Sequence, residues 1–162
     1  MIVVSGVTRV AAVLGWPVEH SRSPAMMNAA FAATQIDAVM VPFAVPPDRF
    51  EACVRGLAAG GALGASVTVP HKEAAFAICD VRVDPAGSIG AVNCLAFEQG
   101  KIVGFNTDAP GFVDALPGAP KRAVLLGAGG AARAIAAGLS GAGAQVDVIA
   151  RSVPTWITAR SW

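Results

Sequence analysis

Ala123-Val124-Leu125-Leu126-Gly127-Ala128-Gly129-Gly130-Ala131-Ala132 sets the architecture to expect. Four apolar residues read as a short strand, the glycines as a turn, and the alanines beyond as the start of a helix. Gln145 to Ala150 reads as a second strand, which completes one βαβ unit. Gly127, Gly129 and Ala132 stand at the GxGxxG/A spacing, between strand and helix, that a dinucleotide-binding turn requires. Alone, that spacing is weak evidence. The cofactor type turns on the next strand: Asp147 falls at the ribose-binding distance of about 20 residues past the first glycine. It sits inside the strand, between Val146 and Val148, whereas the strand's end carries Ala150-Arg151-Ser152. An arginine there favours a ribose 2′-phosphate, hence NADP, the plain alternative being a surface charge.

Upstream, strand-like and helix-like segments alternate. Val10 to Leu14 is an apolar strand, and a helix opens near Pro24 and runs through Phe31. Val39 to Val45 is strand-like, and Pro47-Asp48 opens a helix that puts Phe50, Val54 and Leu57 on one face and ends at Gly60-Gly61. Ala65 to Val69 is a third strand, after which Pro70 suits the first turn of another helix. Val92 to Phe97 and Lys101 to Phe105 flank Glu98-Gln99-Gly100 as a hairpin, and Asp108 to Leu116 follows as a helix. The pattern predicts an α/β protein with a mostly parallel sheet over residues 1–116, a linker at 117–120, and an incomplete Rossmann-type βαβ unit over 121–152. Residues 153–162 form an atypical tail.

Composition narrows the class. With 54% hydrophobic and 14% charged residues the chain is a folded one, and a net charge of +1 gives no reason to expect nucleic acid or an anionic membrane as partner. Cys53, Cys79 and Cys94 are odd in number and widely spaced, which predicts reduced, buried thiols in a cytoplasmic protein. Paired cysteine spacing is absent and only His20 and His71 stand beside these thiols, so no metal site is expected. The uncharged stretch from Gly56 to Pro70 is broken by Gly and Pro and is too short to span a bilayer. The apolar N-terminus is interrupted by Arg9 and resembles a first strand more than a signal peptide.

Two further strings carry candidate chemistry. Ser66-Val67-Thr68-Val69-Pro70-His71-Lys72 ends in a lysine at a helix start, where the positive end of the helix dipole disfavours the ammonium and so favours a proton-accepting amine. The plain alternative is a solvated lysine. Gly104-Phe105-Asn106-Thr107-Asp108 ends in a carboxylate that could hold that ammonium or could simply cap a helix. Asn93 stands in a strand-like segment between Val92 and Cys94, where an amide needs a partner. Ser21-Arg22-Ser23-Pro24 enters a helix; Ser23 reads as a plain N-cap, and both hydroxyls with the free helix-start N–H groups could also hold a carboxylate. All these residues fall at strand ends, where ligands of open α/β sheets sit.

In this order and spacing, from about Val13 to Ser152, the strings resemble the shikimate dehydrogenase family. Gly15-Trp16-Pro17, His20-Ser21-Arg22-Ser23-Pro24 and Asn28 are similar to its substrate-binding entry, and Val67 to Lys72 to its catalytic-lysine segment. The resemblance implies a reversible, NADP-linked conversion of shikimate and 3-dehydroshikimate in aromatic amino acid biosynthesis. It implies that Lys72, paired with Asp108, handles the hydroxyl proton, that Ser21 and Ser23 grip the carboxylate, and that Thr68, Asn93 and Asp108 hold ring hydroxyls. It gives Gly127, Gly129, Gly130 and Ala131 to the cofactor's turn and Arg151 to its phosphate. The chain departs from the family pattern at Met27 (usually His), Ser66 (Asn), Cys94 (Thr) and Ala150 (Asn), which leaves shikimate and quinate, or another ring acid, as alternatives. A non-catalytic protein that only binds the ring acid is the other class of reading. The family continues well beyond the point where Val153 to Trp162 departs from it, so the expectation is a chain truncated near residue 152.

Overall fold

The computed structural model of the protein describes residues 4–151 and Trp156; Ser152 and the rest of the expected 153–162 tail lie outside the described residues. A six-stranded sheet has the order β2-β1-β3-β5-β6-β4, with β1 at Arg9–Gly15, β2 at Ala38–Ala44, β3 at Gly64–Val67, β4 at Val81–Arg82, β5 at Cys94–Glu98 and β6 at Lys101–Phe105. Only β5 runs against the others. The mostly parallel sheet expected from the alternation is therefore present.

Strand β1 is central, and its sequence says why. RVAAVLG is a nearly continuous apolar run, the pattern of a parallel strand buried on both faces, and its last five residues are all buried. Alternation divides it between two cores. Ala11 and Val13 join Val18 and Met40 beneath Met27 and Phe31 of α1 (Ser23–Ala33). Ala12 and Leu14 face the other way, toward Phe50 and Val54 of α2 (Phe50–Ala59) and Ala75 of α3 (Lys72–Ile78). Strand β2 tolerates Pro42, which lacks an N–H, because it lies at the sheet edge.

Several boundaries differ from the sequence expectation. Pro47–Arg49 is a 3-10 turn that precedes α2 rather than its first turn. Helix α3 begins at Lys72, so Pro70 and His71 lie ahead of it. The β5–β6 hairpin turns through Gln99 (φ 51°) and Gly100 (φ 75°), two left-handed residues enclosed by the Glu98–Lys101 pair, as a two-residue type I′ turn demands. Strand β4 and α4 (Ala86–Ile89) have no counterpart in the expectation; a two-residue strand is too short to show a period, and Asp84-Pro85-Ala86-Gly87 reads as a turn.

Helix α5 (Asp108–Asp114) leads through the Pro117 to Pro120 segment into β7 (Arg122–Leu126), α6 (Gly130–Gly141) and β8 (Gln145–Ile149). Strands β7 and β8 pair in parallel as a separate two-stranded sheet, so the anticipated βαβ unit is formed. It does not hang free. Ala134 of α6 is buried with Ile89, Ala91 and Ala109 of the first unit, and α6 crosses α5 closely enough that a Cβ on Gly138 would stand 2.8 Å from the Ala109 carbonyl oxygen. Of the three thiols, Cys79 is buried and bonds the Ala75 carbonyl at 3.0 Å, but Cys53 and Cys94 are only half-buried, a correction to the expectation that all three are interior. Cys53 packs at the margin of the larger core, and Cys94 opens β5 at the edge of the sheet that carries the polar strings.

Candidate functional site

The topology gathers the polar strings at one edge of the six-stranded sheet. The carboxyl ends of β1, β3 and β6 and the amino end of the reversed β5 all point there. Each string follows one of those ends: Ser21 and Ser23 after β1, Thr68 and Lys72 after β3, Asn93 before β5, and Asp108 after β6. The loops are joined by backbone bonds, Thr68 N–H to the Leu14 carbonyl at 2.9 Å and Trp16 N–H to the Val69 carbonyl at 3.0 Å.

At the centre, Lys72 Nζ donates to Asp108 Oδ2 at 2.5 Å, with the two side chains 13% and 28% exposed. A pair this sheltered is screened less than a surface ion pair and still reachable by a small molecule. Asn93 holds the second carboxylate oxygen: its Nδ2 donates to Asp108 Oδ1 at 2.7 Å and to Thr107 Oγ1 at 2.9 Å, while its Oδ1 accepts the Thr107 N–H at 2.8 Å. Asn93 lies just ahead of β5 rather than within a strand, and the amide that looked out of place is fully partnered. The Lys72 backbone is tied to the same spot, its carbonyl accepting the Val92 N–H at 2.9 Å. Amine, carboxylate and amide thus form one fixed row.

Two residues that stand in the same strings, but that sequence reasoning gave no role at the site, hold this row in place. Asn106 is 2% exposed, accepts the N–H groups of Asp108 and Ala109 on its Oδ1 at 3.1 and 3.2 Å, and donates to the Ala91 carbonyl at 2.9 Å. It does the capping of α5 that the sequence also allowed to Asp108, which leaves both Asp108 oxygens for Lys72 and Asn93. An Asn two residues before a helix start was the available signal. His71 is 1% exposed, its ring stacked on Phe50 at 4.5 Å and its Nε2 bonded to the Val45 carbonyl at 2.8 Å, so it donates from Nε2 and pins the start of α3 to the end of β2. Burial lowers its proton affinity, and the Val45 bond partly offsets that. Burial raises the pKa of the Cys94 thiol, which stands opposite Ser66 in the β3–β5 register beside Asn93.

Ser21 and Ser23 are half-buried neighbours at the start of α1. The residue ahead of the helix is Arg22, whose side chain makes no cap bond; Ser21 Oγ, two residues before the helix start, accepts the Ser23 N–H at 3.3 Å. Ser23 is therefore not the simple cap its place before proline suggested, because it already lies inside the first turn. Two clefts of about 520 and 390 Å³ open elsewhere, around Arg9 at the amino end of β1, and hold none of these residues.

The glycine turn meets the row from the second unit. Gly127 is left-handed at φ 115°, and among the described residues a Cβ on Gly127 or Gly129 would meet nothing within 4 Å, which leaves space beside the turn's backbone for an anion at the α6 start. That openness fits a dinucleotide pyrophosphate. Arg151 is exposed just past β8, whose end lies beside the turn because β7 and β8 are parallel. Asp147 lies within β8 and pairs with Arg122 at 3.3 Å, in keeping with its expected position inside the strand. Trp156 Nε1 donates to the Ala128 carbonyl at 3.2 Å, and the Arg133 guanidinium stands 5.8 Å from its ring. Among the described residues, no group of three or more His, Cys, Asp or Glu could hold a metal ion, and no helix is long and apolar enough to cross a membrane.

A family model described as the shikimate dehydrogenase substrate binding domain matches residues 13–95. Among curated relatives, a shikimate dehydrogenase (NADP(+)) of Acidiphilium cryptum is 49% identical over 156 residues, 93% of this chain and 56% of the relative. One of Methanopyrus kandleri is 50% identical over 150 residues, 88% of this chain and 51% of the relative. Among solved structures, shikimate dehydrogenase of Aquifex aeolicus superposes with a TM-score of 0.87 at 37% identity, over 93% of this chain and 58% of that one. The shikimate 5-dehydrogenase of Thermus thermophilus, solved with NADP(H) and shikimate, gives 0.81 at 40% identity, over 89% and 56%. The chain spans about half the length of the curated relatives it matches.

Proposed function

The chain belongs to the shikimate dehydrogenase family, and on that footing we propose that it serves the NADP-linked, reversible reduction of 3-dehydroshikimate to shikimate. The observation that carries the reading is the Lys72–Asp108–Asn93 row, an amine held by a carboxylate that is itself held by an amide. In this reading residues 1–116 bind the substrate, 117–120 link, and the unit from 121 onward takes the cofactor, in a cytoplasmic enzyme.

NADP, when bound, supplies the hydride acceptor or donor for the ring carbon. Lys72 Nζ takes the hydroxyl proton as shikimate is oxidised and returns it to the carbonyl oxygen in reduction. Asp108 stabilises the ammonium and accepts a ring hydroxyl, and Thr68 and Asn93 hold further hydroxyls. Ser21 and Ser23 grip the carboxylate. Several convergent polar contacts fix the ring and select against analogues that lack a hydroxyl, because each would leave a polar group unpaired. Gly127, Gly129, Gly130 and Ala131 carry the pyrophosphate, and Arg151 reads the 2′-phosphate.

The test is NADPH appearance when the purified chain is given shikimate and NADP. Lys72→Ala should abolish turnover while shikimate affinity, by calorimetry, stays within a few-fold. Equal loss of both would make Lys72 a binding or structural residue. A second reading, a quinate/shikimate dehydrogenase of broader range, is favoured by one feature: Ser66 and Cys94, two departures from the family pattern, face each other beside Asn93. Comparing the two ring acids as substrates separates these readings.

A further inference from the structure

We infer that Gly130 lacks a side chain for the sake of Lys72: it is a positioning residue for the amine, and not only a place for a nucleotide to approach. The three glycines of the turn are not alike. Among the described residues, a Cβ on Gly127 or Gly129 would meet nothing within 4 Å, whereas one on Gly130 would stand 2.9 Å from Lys72 Cβ, 3.3 Å from Lys72 Cδ and 3.6 Å from Ala91 Cβ. The bare Cα of Gly130 is thus the wall along which the lysine chain runs to Asp108.

Nothing nearby can yield cheaply. Lys72 Cβ is fixed by a backbone whose carbonyl accepts the Val92 N–H and whose preceding residue, His71, is buried and bonded to Val45. Helix α6 cannot withdraw alone, since Arg133 donates to the Gly90 carbonyl at 2.9 Å, Ala134 is buried against Ala91 and Ala109, and Gly138 lies against the Ala109 carbonyl. The Cδ overlap would be relieved in the flexible part of Lys72, which swings Nζ off Asp108, and the Cβ overlap only by shifting the α3 backbone or prising the two units apart. Either way the amine loses its place. The functional sense of this inference rests on Lys72 being the proton-relay group; the contact itself does not.

The experiment is a comparison of Gly130→Ala with Gly129→Ala in the full chain, joined to a double-mutant cycle with Lys72→Gly. Alanine is the better helix former, so on propensity alone Gly130→Ala at the start of α6 should not destabilise. With Lys72 present it is expected to lower the thermal midpoint by several degrees and to raise severalfold the rate at which an amine-acylating reagent labels Lys72, read by peptide mass spectrometry. Gly129→Ala should do neither. In the Lys72→Gly background, which removes both Cβ and Cδ, Gly130→Ala should leave the midpoint unchanged or raise it, a non-additivity that a direct contact produces. Additive effects, or equal labelling in both alanine variants, would overturn the inference. If Gly130→Ala does not fold, recovery of folding in the Lys72→Gly double variant upholds it and failure there overturns it. An absence of shikimate turnover in the unaltered chain, with the cycle intact, would count against the proposed function and not against the contact.

Discussion

His71 shows how one residue beside the site ties stability to pH. It is buried, it bonds the Val45 carbonyl, and burial lowers its proton affinity below the ordinary value of 6.5. Unfolded, the same imidazole titrates near that ordinary value. Between 6.5 and the lowered folded value the unfolded chain therefore holds a proton that the folded chain lacks, and stability rises with pH across that window. The contribution is complete above the ordinary value and is lost as the pH falls below it. Thermal midpoints taken across the window should drop on the acid side. His71→Gln keeps a donor for Val45 and removes the titration, so its slope should be flatter; an unchanged slope would assign the acid sensitivity to other groups. Cys79 is the opposite case, its thiol pushed up to about 11 chiefly by burial, so it remains protonated and carries no comparable dependence near neutrality.

The short helix α5 depends on Asn106 more than on its own residues. One side chain satisfies two first-turn N–H groups and also donates to Ala91, which fastens the α5 start to the segment that carries Asn93. Removing an N-cap of this kind costs about 0.5–2 kcal/mol, and a buried carbonyl left without its donor adds about 1–3 kcal/mol. Asn106→Ala should therefore lower unfolding free energy in urea by about 2–4 kcal/mol, well beyond a surface substitution. A loss below about 0.5 kcal/mol, the ordinary surface range, would mean that water replaces the amide. What was legible in the chain beforehand follows the same division. Long apolar runs such as Arg9–Gly15, and the turn signals at Gln99-Gly100 and Gly127 to Gly130, placed the strands, the hairpin and the βαβ unit nearly where they are. Lys72 and Asp108 were legible because each closes a string at a strand end. Strand β4 and α4 were not, being too short for periodicity; for Asn106 the capping place was legible, but its bond to Ala91, 15 residues away, is supplied only by the fold. The capping role given to Ser23 failed for a local reason, the helix starting one residue earlier than proline implied.

The two sheets differ in how well they are covered. The six-stranded sheet has α1 on one face and α2 and α3 on the other, as a mostly parallel sheet requires. Among the described residues, the β7–β8 pair has α6 on one face only. Val124, Leu126 and Ile149, which share its other face with Arg122, Gln145 and Asp147, are 59%, 82% and 61% exposed, while the alternate residues Ala123, Leu125, Val146 and Val148 are half-buried. Parallel strands that leave large apolar side chains exposed on one face are seldom stable as such, and apolar surface clustered at Val124, Leu126 and Ile149 favours association. The chain at raised concentration should therefore bind a hydrophobic dye and show a light-scattering mass above that of the monomer. Val124→Lys with Ile149→Lys places charge on the same face at alternate positions of paired strands, away from the Gly130–Lys72 contact. Dye fluorescence and apparent mass should both fall, with the thermal midpoint of the six-stranded unit unmoved. Dye binding equal to that of the unaltered chain would mean that this face is already covered in solution, and the exposed apolar surface that drives association would then have to lie elsewhere, at Trp16, Met26 and Val69 around the sheet edge that carries the site.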